Sequence, residues 1–132
     1  MDKVINFLKE NSTFYFATVE EGEPRVRPFG FFMDYEGKLY FGMGDHKASY
    51  KQLLENPNFE VSTTSANGEW IRIKGTAVFD KSEKALEAAF NTMPSLRKIY
   101  NEETGLNMAI FYVENGDAEI AGFDGSFEKI KF

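Results

Sequence analysis

Apolar and polar positions recur with two periods along this chain, and each change of period marks an element. Asp2 to Glu10 places Val4, Ile5, Phe7 and Leu8 at helical spacing, which predicts a short amphipathic helix with Asp2 near its start. Ser12 to Val19 (STFYFATV) sets Phe14, Phe16 and Thr18 against Tyr15, Ala17 and Val19, and both sets are apolar enough to predict a central strand buried on two faces. Gly22 marks a hairpin turn over Glu20 to Glu23, and Arg25 to Met33 follows as a second strand. Pro28 interrupts it. Proline donates no ladder hydrogen bond, so this stretch is an edge, a bulge, or a place where something other than a strand meets the backbone. Asp34 to Gly37 turns the chain into a third strand, Lys38 to Met43, which ends at the glycine pair Gly42 and Gly44.

A helix follows, with Asp45 as its natural N-cap and Tyr50, Leu53 and Leu54 as its apolar stripe, and it stops before Pro57. Phe59 to Thr64 and Glu69 to Phe79 are strands joined through the hairpin dipeptide Asn67-Gly68. The longer one turns Ile71, Ile73, Gly75, Ala77 and Phe79 to the core, opposite a face that begins Trp70, Arg72, Lys74. Ser82 caps a helix reaching Met93, with Ala85, Leu86, Ala89, Phe90 and Met93 inward; Pro94 restarts a short segment through Tyr100, and Asn101 to Gly105 is loop. Asn107 to Ile120 and the terminal FEKIKF supply the last strands. Hairpin turns without a crossover helix between every strand pair predict a small, partly open antiparallel barrel of five or six strands.

Composition narrows the options. A chain of 132 residues has room for one domain, taken as residues 1–132, and its 14 Phe and 6 Tyr favour strands over a helical bundle. A net charge of −6 without a basic run argues against a nucleic-acid groove. With no cysteine there is no disulfide or thiolate chemistry, and one histidine excludes a multi-His metal site, so no metal is expected. The N-terminus lacks the apolar region of a signal peptide and no stretch reaches membrane-spanning length, so a cytoplasmic protein without a membrane partner is expected.

Candidate chemistry gathers between Pro24 and Asn56. A helix start offers free N–H groups and the positive end of a dipole, and here it carries Lys47 and Lys51. Asp45 works against an anion at that place. Arg25 and Arg27 share a strand face with Phe29, Phe31 and Met33, which cannot be both core and solvent unless Pro28 shifts the parity. Their guanidinium forks suit a phosphate or ring carbonyls, or equally a salt bridge across a dimer or to Glu23 or Asp34. The lone His46 is a surface residue or a donor to an anion or substrate; Trp70 fills a subunit seam or stacks on a ligand. No residue is singled out as catalytic. A ligand anionic at one end and flat and polar at the other fits the unit.

Four segments in order, PRVRPFG, D-x-x-G-K-L-Y-F, H-K-x-x-x-K-Q-L-x-x-N-P and W-I-R-I-K-G-T-A, resemble the pyridoxamine 5'-phosphate oxidase-like split barrels, and most closely their nitroimidazole-resistance (Nim) branch. The resemblance runs from the first helix to about residue 122, and MPSLRKIY fits that branch too. It implies a mainly β, six-stranded antiparallel Greek-key split barrel with flanking short helices, homodimeric, with FMN at the subunit interface. Carried over by position, the ring-contacting strand falls on Arg25, Val26, Arg27, Pro28, Phe29 and Gly30, the next strand's contact on Phe41 and Gly42, the phosphate pair on His46 and Lys47, and a later contact on Trp70. The oxidase itself has arginine where His46 stands, and its C-terminal Trp and Arg lack counterparts after Asn107. The resemblance therefore implies the fold and flavin site without that oxidase activity. An FMN-dependent reductase drawing on a nicotinamide donor for a small electron-poor substrate is the leading expectation; a non-catalytic flavin, haem or deazaflavin binder, store or sensor is the alternative.

Overall fold

The computed structural model describes residues 1–132, and one antiparallel sheet organises them. The chain runs α1 (Asp2–Glu10), β1 (Phe14–Glu20), β2 (Glu23–Phe29), β3 (Phe32–Tyr35), β4 (Lys38–Gly44), α2 (Ala48–Glu55), β5 (Asn58–Thr64), β6 (Trp70–Asp80), α3 (Glu83–Thr92), a 3-10 turn (Pro94–Lys98), β7 (Met108–Ala121) and β8 (Phe127–Lys131). Strands pair in the order β2-β1-β5-β6-β7-β4-β3, with β8 added beside β7. The sheet thus has eight strands rather than the six expected. No helix is long and apolar enough to cross a membrane.

One of the added strands comes from a break. The expected strand Arg25 to Met33 is two strands, separated at Gly30 and Phe31. β2 pairs only with β1, from Phe14 opposite Phe29 to Glu20 opposite Glu23, whereas β3 pairs only with β4. Neighbours in sequence, β2 and β3 thus occupy opposite ends of the pairing order, and the barrel stays split between them. Pro28 lies opposite Tyr15 on an edge strand, the sheet position that tolerates proline.

Local chemistry explains the remaining corners. Glu21 and Gly22, then Glu36 and Gly37, take positive φ in pairs (51° and 79°, 50° and 75°), the signature of two-residue primed turns that match the sheet's twist. β7 pairs with β4 over Met108 to Tyr112 and with β8 over Asp117 to Ala121, so one long strand serves two neighbours. Its register against β6 slips at Gly75, where a Cβ would meet Val113 Cγ1 at 2.5 Å.

The barrel interior is aromatic. Phe14, Phe16, Phe41 and Phe111 are fully buried, Phe16 stacks on Phe59 at 4.9 Å, and Val4 and Leu8 of α1 close one end. β1 is buried on one face only, because Tyr15 projects outward and is half exposed. A second cluster, built from Phe31, Met33, Tyr40, Ala85, Ala89, Leu96, Met108 and Ile110, joins the outer face of β3 and β4 to α3 and the 3-10 turn. Ser82 caps α3 as expected, accepting from the Ala85 N–H at 3.3 Å. α2 differs from its expected form. Its N-cap is Lys47, since Asp45 is drawn away by a backbone bond from its N–H to Asn107 O at 2.9 Å; its buried face is Ser49, Gln52 and Leu53, with Leu54 exposed.

Candidate ligand cleft at the split

Between the two clusters lies a cleft of about 480 Å³, within the ordinary range for small-molecule sites. Its first wall is the end of β2 and the break, Arg27 to Phe31. The second is Gly42, Met43 and Gly44 of β4, running into Lys47, Ala48 and Ser49 at the start of α2. Met93, Leu96, Tyr100 and Met108 complete it.

Strand alternation decides which β4 residues face this space. Phe41 points into the barrel and is fully buried, so Gly42 and Gly44 turn toward the cleft. A Cβ on Gly42 would lie 2.7 Å from Met108 Cε and 3.0 Å from Ala109 O; one on Gly44 would clash with the His46 imidazole. Both glycines are thus required by close packing: Met108, Ala109 and Ile110 press on Gly42, and His46 and Tyr100 on Gly44.

The start of α2 offers donors and no acid. Lys47 is an extended N-cap (φ −79°, ψ 151°) without a side-chain cap, and the first turn holds no acid. The amides of Ala48 and Ser49 find no partner in the chain. Asp45, the carboxylate that would oppose an anion, lines a different cavity with Asp80, Lys81 and Ser82.

The two arginines of β2 divide. Arg27 Nη1 donates to Thr18 Oγ1 at 2.8 Å and Phe16 O at 3.2 Å, and Nη2 donates to Gln52 Oε1 at 2.8 Å. Thr18 in turn donates to Gln52 Oε1 at 2.5 Å, and Gln52 Nε2 donates to Glu20 at 3.2 Å. Arg27 therefore clamps β1, β2 and α2 around the cleft, with its Nε–H left over. Burial lowers its pKa, opposed by the charge of Glu20, and arginine stays cationic regardless. Arg25 stands outside the cleft, paired with Glu20 at 3.2 Å and Glu23 at 3.3 Å.

Of the residues singled out in the sequence, the fold gathers Arg27, Pro28, Phe29, Gly30, Gly42 and Lys47 around one space. Phe29 also stacks on Phe16 at 4.6 Å. His46 flanks the cleft, packed over Gly44. Arg25 and Val26 face solvent, Phe41 faces the core, and Trp70 sits at the far end of β6, 5.1 Å from Phe123. Sequence reading missed the wall supplied by Met93, Leu96 and Tyr100. Their near-helical spacing across Pro94 was the available signal. Burial pushes the Tyr100 phenol above its ordinary range and the charge of Asp45 adds to this, so it is protonated at neutral pH.

A split antiparallel barrel with this cleft defines a class, and comparison with known proteins specifies it. The family model described as pyridoxamine 5'-phosphate oxidase matches residues 1–127. A NimC/NimA family protein from Clostridium acetobutylicum is 38% identical over 100% of this chain and 92% of its own, with a TM-score of 0.93. The chain belongs to the pyridoxamine 5'-phosphate oxidase-like split-barrel family, on its NimC/NimA branch. Two more distant structures share the fold: a pyridoxamine 5'-phosphate oxidase-related, FMN binding protein from Nostoc punctiforme (16% identity, 99% of this chain and 95% of that one, TM-score 0.64) and a heme binding protein from Mycobacterium smegmatis (14%, 93% and 54%, TM-score 0.70). No curated protein matches the sequence.

Proposed function

We propose that the cleft binds FMN, with its phosphate at Lys47, Ala48 and Ser49 and its ring along Pro28 to Gly30 and over Gly42. One observation carries this reading: an uncapped, acid-free helix start bearing a lysine shares a single cleft with a proline-interrupted strand end. The donors suit a phosphate, since unpaired amides at a helix start and an ammonium group are all donors. The apolar wall of Phe29, Met93, Leu96 and Met108 suits a planar ring. The FMN binding relative from Nostoc punctiforme supports the choice of ligand.

Bound flavin would supply hydride and electron transfer, while the protein supplies binding, orientation and exclusion of water. We assign the chain as a homodimeric, cytoplasmic oxidoreductase taking electrons from a nicotinamide donor. Exposed Tyr15, Val26, Phe123 and Phe127 give the apolar surface a second copy would cover. Reconstitution with FMN followed by gel filtration tests the binding: flavin absorption should travel with the protein, and a colourless protein peak refutes it. Anaerobic mixing of that complex with NADH and NADPH tests turnover. Bleaching supports the oxidoreductase, and unchanged colour with both donors leaves a flavin carrier.

A further inference from the structure

Tyr100 comes from a part of the chain far beyond α2, yet its ring rests on the turn that launches this helix. Its Cε1 is 3.3 Å from where a Cβ on Gly44 would stand, and Gly44 O accepts the Lys47 N–H at 3.1 Å. Leu96, nearly buried in the second cluster, fixes the segment, and the Tyr100 N–H bonds back to Leu96 O at 2.9 Å. The ring is thus positioned by packing on both sides.

The hydroxyl has no such tie. Among the side chains lining the cleft only Arg27, Lys47, Ser49 and Tyr100 can donate a hydrogen bond from oxygen or nitrogen, and Arg27 is largely engaged by Thr18, Phe16 and Gln52. Tyr100 lines the cleft, and its hydroxyl makes no hydrogen bond within the chain. The charged and titratable groups around it are Asp45, His46 and Lys47 on the turn below. A monoester phosphate presents three terminal oxygens, each able to accept more than one hydrogen bond, so it has room for the Tyr100 O–H beside the Lys47 ammonium, the two amides and the Ser49 hydroxyl.

We infer that Tyr100 donates its phenolic hydrogen bond to the terminal phosphate of the bound flavin, making it a specificity-determining residue that favours a phosphate monoester over the uncharged ribityl alcohol. This rests on the FMN reading given above. The ring closes the end of the cleft and the hydroxyl completes the donor set there. Burial keeps the phenol protonated, so the donor persists across the neutral range.

Tyr100→Phe keeps the ring and removes only the hydroxyl. Dissociation constants for FMN and riboflavin, from quenching of flavin fluorescence by wild type and variant, separate the possibilities. The expected result is an FMN affinity about tenfold weaker in the variant, the scale of one hydrogen bond to a charged group, with riboflavin changed less than about twofold. Equal weakening of both flavins, or no change in either, overturns the inference while leaving the FMN site standing. A wild type that binds neither flavin overturns it together with the FMN reading.

Discussion

Two of the cation-bearing concavities on this barrel differ in what surrounds their charges, and of these two one has the makings of a ligand site. On the outer face of β5 to β8, Arg72, Lys74, Lys129 and Lys131 surround a hollow of about 300 Å³ with Glu60, Asp117 and Glu119. Strand register sets the signs alternately: Lys74 lies between Glu60 and Asp117, Asp117 faces Lys131, and Glu119 lies between Arg72 and Lys129. Arg72 and Glu119 close to 2.7 Å. Each cation has an acid across the ladder, so the field an incoming anion meets is nearly cancelled. In the cleft, Lys47 has no acid within its helix turn, the amides beside it are unpaired, and the neighbouring wall is apolar. The number of positive charges does not distinguish a site; the absence of their partners does.

Substitutions can break that contrast or sharpen it. Gly42→Val should have the largest effect, because its Cβ alone would come within 2.7 Å of Met108 Cε; flavin binding should vanish and overpacking should lower stability by about 1–3 kcal/mol, measured by denaturant unfolding. Lys47→Glu turns attraction at the helix start into repulsion. FMN affinity should fall about 100-fold in a fluorescence titration, and riboflavin affinity far less. Gln52→Leu removes the acceptor shared by Thr18 and Arg27 and leaves a partly buried guanidinium short of a partner; stability should drop by about 1–3 kcal/mol and FMN affinity by about tenfold as the clamp loosens. Lys74→Glu, on the outer face, should change FMN affinity by less than about twofold. A larger loss there would mean that the two concavities are functionally joined.

Much of this arrangement was legible in the chain itself. The turns at Glu21-Gly22 and Glu36-Gly37 and the Ser82 cap follow from local chemistry and are present, and of the three readings Pro28 left open the structure shows the edge. Lys47 and Pro28 to Gly30, singled out by residue type together with the family resemblance, do line one cleft. What local pattern could not supply was long-range. Phe29, Phe31 and Met33 read as one continuing strand face, and the break at Gly30 emerges only because Phe31 and Met33 are captured by a cluster from α3, β4 and β7. Asp45 has every intrinsic preference for an N-cap, but Asn107 claims its N–H and the cap passes to Lys47. Leu54 fits the apolar stripe by spacing, yet Gln52 takes the inward position because Thr18 and Arg27 need its amide. Tyr100 reaches the cleft by docking of a segment whose sequence signal is weak.

Titration of FMN with purified protein, followed by fluorescence quenching in wild type and in Lys47→Glu, tests the assignment of the split as a phosphate-anchored flavin site most directly. A cleft that seats FMN by its phosphate gives one saturable site per chain in the wild type and about 100-fold weaker binding in the variant. Fluorescence that stays unquenched by excess wild-type protein, or identical curves for both proteins, would contradict it.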